Sequence, residues 1–166
     1  RKALESLGYS SRAEVAPLIE SAYERDDPDW IASALAAMGR SSDERWADEI
    51  ISMLLNEDSA LRLAAVKAAG ELSLSTARLP ILRILEEEED SEVISAAIWA
   101  LSQIGGEDVQ TYLETLIDQT DDDDEIQFIE DALANLAFTE DLERLDLLAF
   151  DPDDDLLEEL DDDEDE

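Results

Sequence analysis

One pattern returns along this chain every 31 or 32 residues, and it limits the possible folds more than any other feature. It is clearest from Asp58 to Glu89, DSALRLAAVKAAGELSLSTARLPILRILEEEE. One apolar series there (Leu61, Ala64, Ala65, Ala68, Ala69, Leu72) and a second (Leu79, Leu82, Leu85, with Ile81 and Ile84 beside them) each recur at the period of one helix face. The unit is a helix pair, A then B. Neither helix has enough apolar surface to close a core alone, so each pair must bury its face against a neighbour, and the sequence supplies neighbours at near-constant spacing.

Aligned copies give a register. Ala37, Ala68, Ala100 and Ala132 occupy one position of helix A, and Met38, Ala69, Leu101 and Leu133 the next. In helix B, Ile50, Ile81, Leu113 and Leu145 correspond, with Leu18 as the fifth member. Small residues at a fixed place in helix A allow helices to approach closely, as a tightly stacked array requires. Capping signals set the expected limits. Ser11 with Glu14 opens a helix B over 13–24, and Asp27 followed by Pro28 opens a helix A up to Gly39. Ser41 with Glu44 opens 44–55, and Gly105-Gly106 stops the helix that starts near Asp90. Then come 109–117 and a last pair, 126–136 and 142–149. The chain opens at Arg1 within a helix face, which reads as a fragment or part of a longer chain. The expectation is one all-α domain over residues 1–150, a solenoid of four to five stacked antiparallel pairs with the first truncated. Residues 151–166 then form an acidic tail or partial cap.

Composition narrows the function. The 166 residues contain no cysteine and no histidine, which removes disulfides, the usual zinc, copper and haem ligands, and the residue most used for proton transfer near neutral pH. No apolar run approaches the roughly 20 residues that span a bilayer, and no signal peptide is evident, so a cytoplasmic protein is expected. The net charge is −36, divided unevenly: residues 1–83 carry ten basic and 14 acidic side chains, whereas 84–166 carry Arg144 against 33 acids. Such a surface repels phosphate and excludes direct nucleic-acid binding by counterion release, while it attracts a basic protein surface.

The central unit resembles HEAT-like repeats of the short bacterial kind, which combine an Asp-rich turn, a Val-Arg near the start of helix A, an Ala-Leu-Gly near its end and a Pro-x-Leu in helix B. Leu61-Arg62, Ala68-Ala69-Gly70 and Pro80-Ile81-Leu82 carry the resemblance, with Ala37-Met38-Gly39, Ala100-Leu101-Ser102 and Ala132-Leu133-Ala134 elsewhere. It extends over about residues 3–150. Ile31, Ile94 and Ile126 replace the motif's arginine in the other repeats, which puts an arginine ladder between repeats in question. The resemblance implies an α-solenoid whose second helices line the concave, partner-facing side. Some bilin lyases are built from similar repeats, so a lyase or lyase-like chaperone is the enzyme it suggests.

Acids gather at every turn between pairs: Asp26, Asp27 and Asp29; Glu57 and Asp58; Glu86 to Asp90; Asp121 to Glu125; and Asp151 with Asp153 to Asp155. One carboxylate at a helix N-terminus is favoured by about 0.3–1 kcal/mol through the helix dipole. Five in a row exceed that need, so the last three clusters are assigned to partner attraction or solubility. A calcium loop at Asp151, Asp153 and Asp155 fails on Leu156 where glycine is required and Asp162 where glutamate is, so no dedicated metal site is expected. Serine has no histidine base, and no glycine-rich phosphate loop is present, so neither catalysis nor a cofactor is expected.

Exposed register positions supply the candidate partner-binding residues. Ala36, Lys67, Trp99 and Asp131 share an outward position of helix A, where Trp99 is the large aromatic. Pro17, Glu49, Pro80, Tyr112 and Arg144 share one in helix B, and Glu20, Ser52, Arg83, Thr115 and Leu147 another. Aromatic and arginine side chains dominate binding energy at protein interfaces, which selects Arg83, Tyr112, Arg144 and Trp99. The tail holds 12 acids in its 16 residues and Leu156, Leu157 and Leu160, as either a solubilising tail or an acidic-hydrophobic interaction segment. The function expected is a non-enzymatic protein-interaction scaffold or assembly factor for a partner with a basic surface. The alternatives are a bilin-lyase-like enzyme or chaperone, and an acidic mimic of nucleic acid.

Overall fold

The computed structural model describes residues 1–10 and 12–149. Among these are nine helices and no strand: α1 (Lys2–Leu7), α2 (Val15–Tyr23), α3 (Pro28–Gly39), α4 (Ala47–Met53), α5 (Ser59–Glu71), α6 (Arg78–Glu87), α7 (Ser91–Ile104), α8 (Glu107–Ile117) and α9 (Asp123–Ala149). The odd-numbered helices form an A layer in which each packs on the next, and α2, α4, α6 and α8 form a B layer in which each packs on the following A helix. None of the described helices is long and apolar enough to cross a membrane.

Each A helix after the first starts on an aspartate. Asp27, Asp58, Asp90 and Asp122 accept from the backbone N–H two residues on, at 2.9–3.0 Å, and they recur at steps of 31, 32 and 32. The cap satisfies an N–H group that the helix itself cannot, an effect of about 1 kcal/mol. The turn from A to B has its own signature. Ser42, Ser73 and Gly105 occupy one register position, and all have positive φ (52°, 49° and 75°), which reverses the chain.

The next residue in that series is Ala137, and here the expected turn does not form. α9 continues unbroken to Ala149, so the last pair is a single helix. An alanine resists the left-handed backbone by about 1–2 kcal/mol, and no glycine or proline lies within 123–149. Two helix starts also differ. Asp43, rather than Ser41, caps the segment before α4, accepting from Arg45 N at 3.1 Å at the head of a 3₁₀ turn over Glu44–Trp46. α2 begins at Val15 with Glu14 as an N-cap that makes no side-chain bond, while Ser11 lies outside the described residues.

The A layer is held by backbone approach. A Cβ added at Gly8 would come within 2.5 Å of the Ala37 carbonyl oxygen, at Gly39 within 2.7 Å of Ala68 Cα, and at Gly70 within 2.9 Å of Ala100 Cα. Ala37, Ala68, Ala100 and Ala132 are all buried, as the register requires. Ser102 follows Gly39 and Gly70 in the series, and the α7–α9 contact is accordingly polar: Asn135 Nδ2 donates to Ser102 Oγ at 3.0 Å, and Thr139 Oγ1 lies 3.4 Å from Ser102 O. Leu35, Val66 and Ile98 are buried at one register position whose next member, Glu130, is exposed, so α9 presents charge where its predecessors present apolar surface.

Two assignments in the B layer rotate by one or two residues. Leu18 is 51% exposed and Ile19 only 1%, which makes Ile19 the partner of Ile50, Ile81 and Leu113. Leu79 is exposed while Ile81 and Ile84 are buried, with Leu82 and Leu85 at the margin of the core. The tail beyond Ala149, with its suggested cap and calcium loop, lies outside the described residues.

Candidate protein-binding face

With Ile19 in register, the outward positions of the B layer become Leu18, Glu49, Pro80 and Tyr112 in one row and Ser21, Ser52, Arg83 and Thr115 in another. Tyr112 on α8 is half-buried, and burial pushes its hydroxyl above the usual tyrosine value, with the Glu86 carboxylate adding to the shift. The ring is thus held neutral beside α6. Tyr23 Oη lies 3.3 Å from Ser52 Oγ, which ties α2 to α4. One carboxylate oxygen of Glu49 is enclosed and has no hydrogen-bond partner among the described residues.

The cations of this layer are already engaged. Arg83 is exposed and lies 3.4 Å from Glu87 one turn on, and Arg78 lies 3.3 Å from Asp108. Glu20, Asp48, Glu86 and Glu114 are exposed, with no basic side chain within 4 Å of them among the described residues. The structure therefore places Tyr112 and the Arg83 row on one acidic layer. Arg144 is different. Because α9 does not turn, Arg144 stands on the continuation of an A helix, exposed and 3.9 Å from Asp141, and it joins no B row.

Trp99 belongs to the A side. It is 41% exposed, leans on Phe128 with ring centroids 6.5 Å apart, and lines a groove of about 610 Å³ with Lys67, Glu71, Glu92, Ser95 and Gln103. Burial pushes the Glu71 carboxyl up, against the pull of Arg40 and Lys67. Trp99 thus both packs on an adjacent helix and offers surface, and it does not share a face with Tyr112.

The turn acids divide by use. Asp27, Asp58, Asp90 and Asp122 are caps, and Asp29 pairs with Arg1. Glu88, assigned above with its cluster to partner attraction or solubility, is structural. Arg62 grips it with Nε at 2.6 Å and Nη2 at 2.9 Å, while its Nη1 donates to the carbonyls of Asn56 and Glu57 at 2.8 and 3.0 Å. One arginine thereby joins two successive turns, even though the other repeats lack it. Spacing alone hides this, since a run of five acids gives no sign of which member faces inward. Asp26, Glu57, Glu89, Asp121, Asp123 and Asp124 remain exposed.

Stacked A and B helices, aspartate-capped turns at 31 to 32 residues and small residues between A helices agree with the comparison to known families, in which the profile of HEAT repeats matches residues 47–134, more than half of the chain. No curated protein matches it at a significant level. HEAT repeats generally mediate protein–protein interaction. The chain belongs to the HEAT-repeat family.

Proposed function

We propose that the chain is a non-catalytic interaction scaffold or assembly factor of the cytoplasm that binds a basic protein surface through its B layer. The state of the charges there carries the reading: Arg78 and Arg83 are matched by Asp108 and Glu87, and Glu20, Asp48, Glu86 and Glu114 are left over. Lysine and arginine of a partner would meet carboxylates that have no cation to give up among the described residues, which favours encounter and register. Tyr112 is the anchor, since a half-buried ring has little freedom left to lose on binding. Arg83 is exposed enough to exchange Glu87 for a partner group, and Trp99 offers a further contact on the A side. Residues 1–150 act in this reading as one body, followed by an acidic tail.

The test starts from proteins captured from a native lysate on the immobilised chain. A true partner should be lost on Glu86→Lys/Glu114→Lys, and its affinity should fall about tenfold or more on Tyr112→Ala. Full affinity in the charge-reversed variant would reject the B layer as the binding face.

A further inference from the structure

On the second half of α9, Phe138 and Leu142 begin an apolar row, and no described element covers these two side chains. Phe138 and Leu142, one helical turn apart, are 63% and 48% exposed, and the sequence continues the spacing at Leu145 and Ala149. The core side of α9 is a different one, formed by Ile129, Ala132 and Leu136. Isolated exposed apolar residues need no explanation, whereas a row at i, i+4, i+7 and i+11 is the anchor spacing of one helix laid against another. The surrounding charge is of one sign. Asp131 and Asp141 are exposed, and α9 holds nine acids against Arg144.

We propose that this row docks an amphipathic helix of a partner protein, with lysine or arginine flanking its apolar face. Charge selects this occupant. A second copy would set the nine acids and one arginine of α9 against the same set, and residues 151–166 would bring Leu156, Leu157 and Leu160 together with 12 acids. Either would concentrate like charge around an apolar contact, whereas basic flanks neutralise it. The inference shares with the preceding reading only the basic chemistry of the partner. It uses another surface, and the two fail separately.

A synthetic amphipathic peptide with leucines on one face and flanking lysines serves as the probe, titrated by fluorescence anisotropy against the full chain near 0.15 M ionic strength, where long-range attraction is largely screened. It should bind at least about tenfold tighter than a scrambled peptide of the same composition and than its glutamate-for-lysine version. Phe138→Asp or Leu142→Asp should weaken it about tenfold or more with helix content by circular dichroism unchanged, and Tyr112→Ala should leave it unaffected. Equal binding of the scrambled peptide would reduce the effect to net charge and overturn the proposal. Loss of binding on Tyr112→Ala but not on Phe138→Asp would move the helix to the B layer. Much tighter binding to a Leu156→Ser/Leu157→Ser/Leu160→Ser variant would show that the chain's own tail occupies the row. A sedimenting dimer abolished by Phe138→Asp would assign it to a second copy.

Discussion

Glu88 is one of five consecutive acids, and its side chain is only 7% exposed because Arg62 encloses it. The guanidinium, helped by the N–H groups of Asp90 and Glu89, outweighs the cost of burial and holds the carboxyl down at about 2, from an ordinary value of 4.5. Folding therefore favours its ionised form. The stabilisation is complete above pH 4.5 and is lost as the pH falls through about 2. Glu88→Gln should lower stability by roughly 1–3 kcal/mol near neutral pH in urea unfolding, and the gap to the parent should close toward about pH 2. A gap of the same size at both ends would assign the effect to packing. Gly105 makes a different single-residue contribution. With φ 75° and ψ −175° it sits where other residues are strained, yet an added Cβ would meet nothing nearer than Leu136 Cδ1 at 4.0 Å. Gly105→Ala should thus cost about 1–3 kcal/mol through the backbone alone.

Between elements the reverse holds at Gly39, whose backbone is ordinary for a helix and whose missing Cβ makes room for Ala68. Gly39→Ala should push α3 away from α5 and lower the melting midpoint by an amount equivalent to roughly 1–3 kcal/mol. Unchanged melting would mean that the A layer has slack that the 2.7 Å approach of an added Cβ to Ala68 Cα does not suggest. Such packing was legible in the sequence because the small residues recur in step: Ala37, Ala68, Ala100 and Ala132 are buried as their spacing requires, and the repeat family follows from them. The B helices were less legible. Leu18 beside Ile19 and Leu79 near Ile81 offer two apolar residues for one inward place, and hydropathy does not choose between them. α9 misled for a physical reason. The repeat pattern called for a turn near residue 137, but the alanine there lacks the left-handed tolerance that Gly105 brings to the turn and that Ser42 and Ser73 supply under strain. Local preference won where the exposed Glu130 stands in place of the buried Leu35, Val66 and Ile98 of earlier repeats. Arg144 left the B rows by the same error, whereas Tyr112 and Arg83 lie on the B helices α8 and α6.

Over the whole molecule, charge and contact are separable. Residues 84–166 hold 33 acids and one arginine, so most of the net negative charge comes from that half of the sequence, and on the proposed reading it would steer a basic partner. Exposed charges of this kind act mainly before contact, by raising the rate of encounter, whereas a half-buried ring at an interface, the part proposed for Tyr112, acts after contact, by slowing escape. Once a partner is in hand, its association rate should fall steeply between about 0.01 M and 0.15 M ionic strength, as the screening length shrinks from roughly 30 to 8 Å, with dissociation changing much less. Neutralising Asp161, Asp162 and Asp163 to asparagine should slow association and leave dissociation nearly unchanged. Tyr112→Ala should do the opposite, speeding dissociation about tenfold or more with little effect on encounter. Stopped-flow or surface-binding kinetics on the two variants separate the effects. An association rate indifferent to salt would remove electrostatic steering from the account, and an unchanged dissociation rate for Tyr112→Ala would remove the anchor.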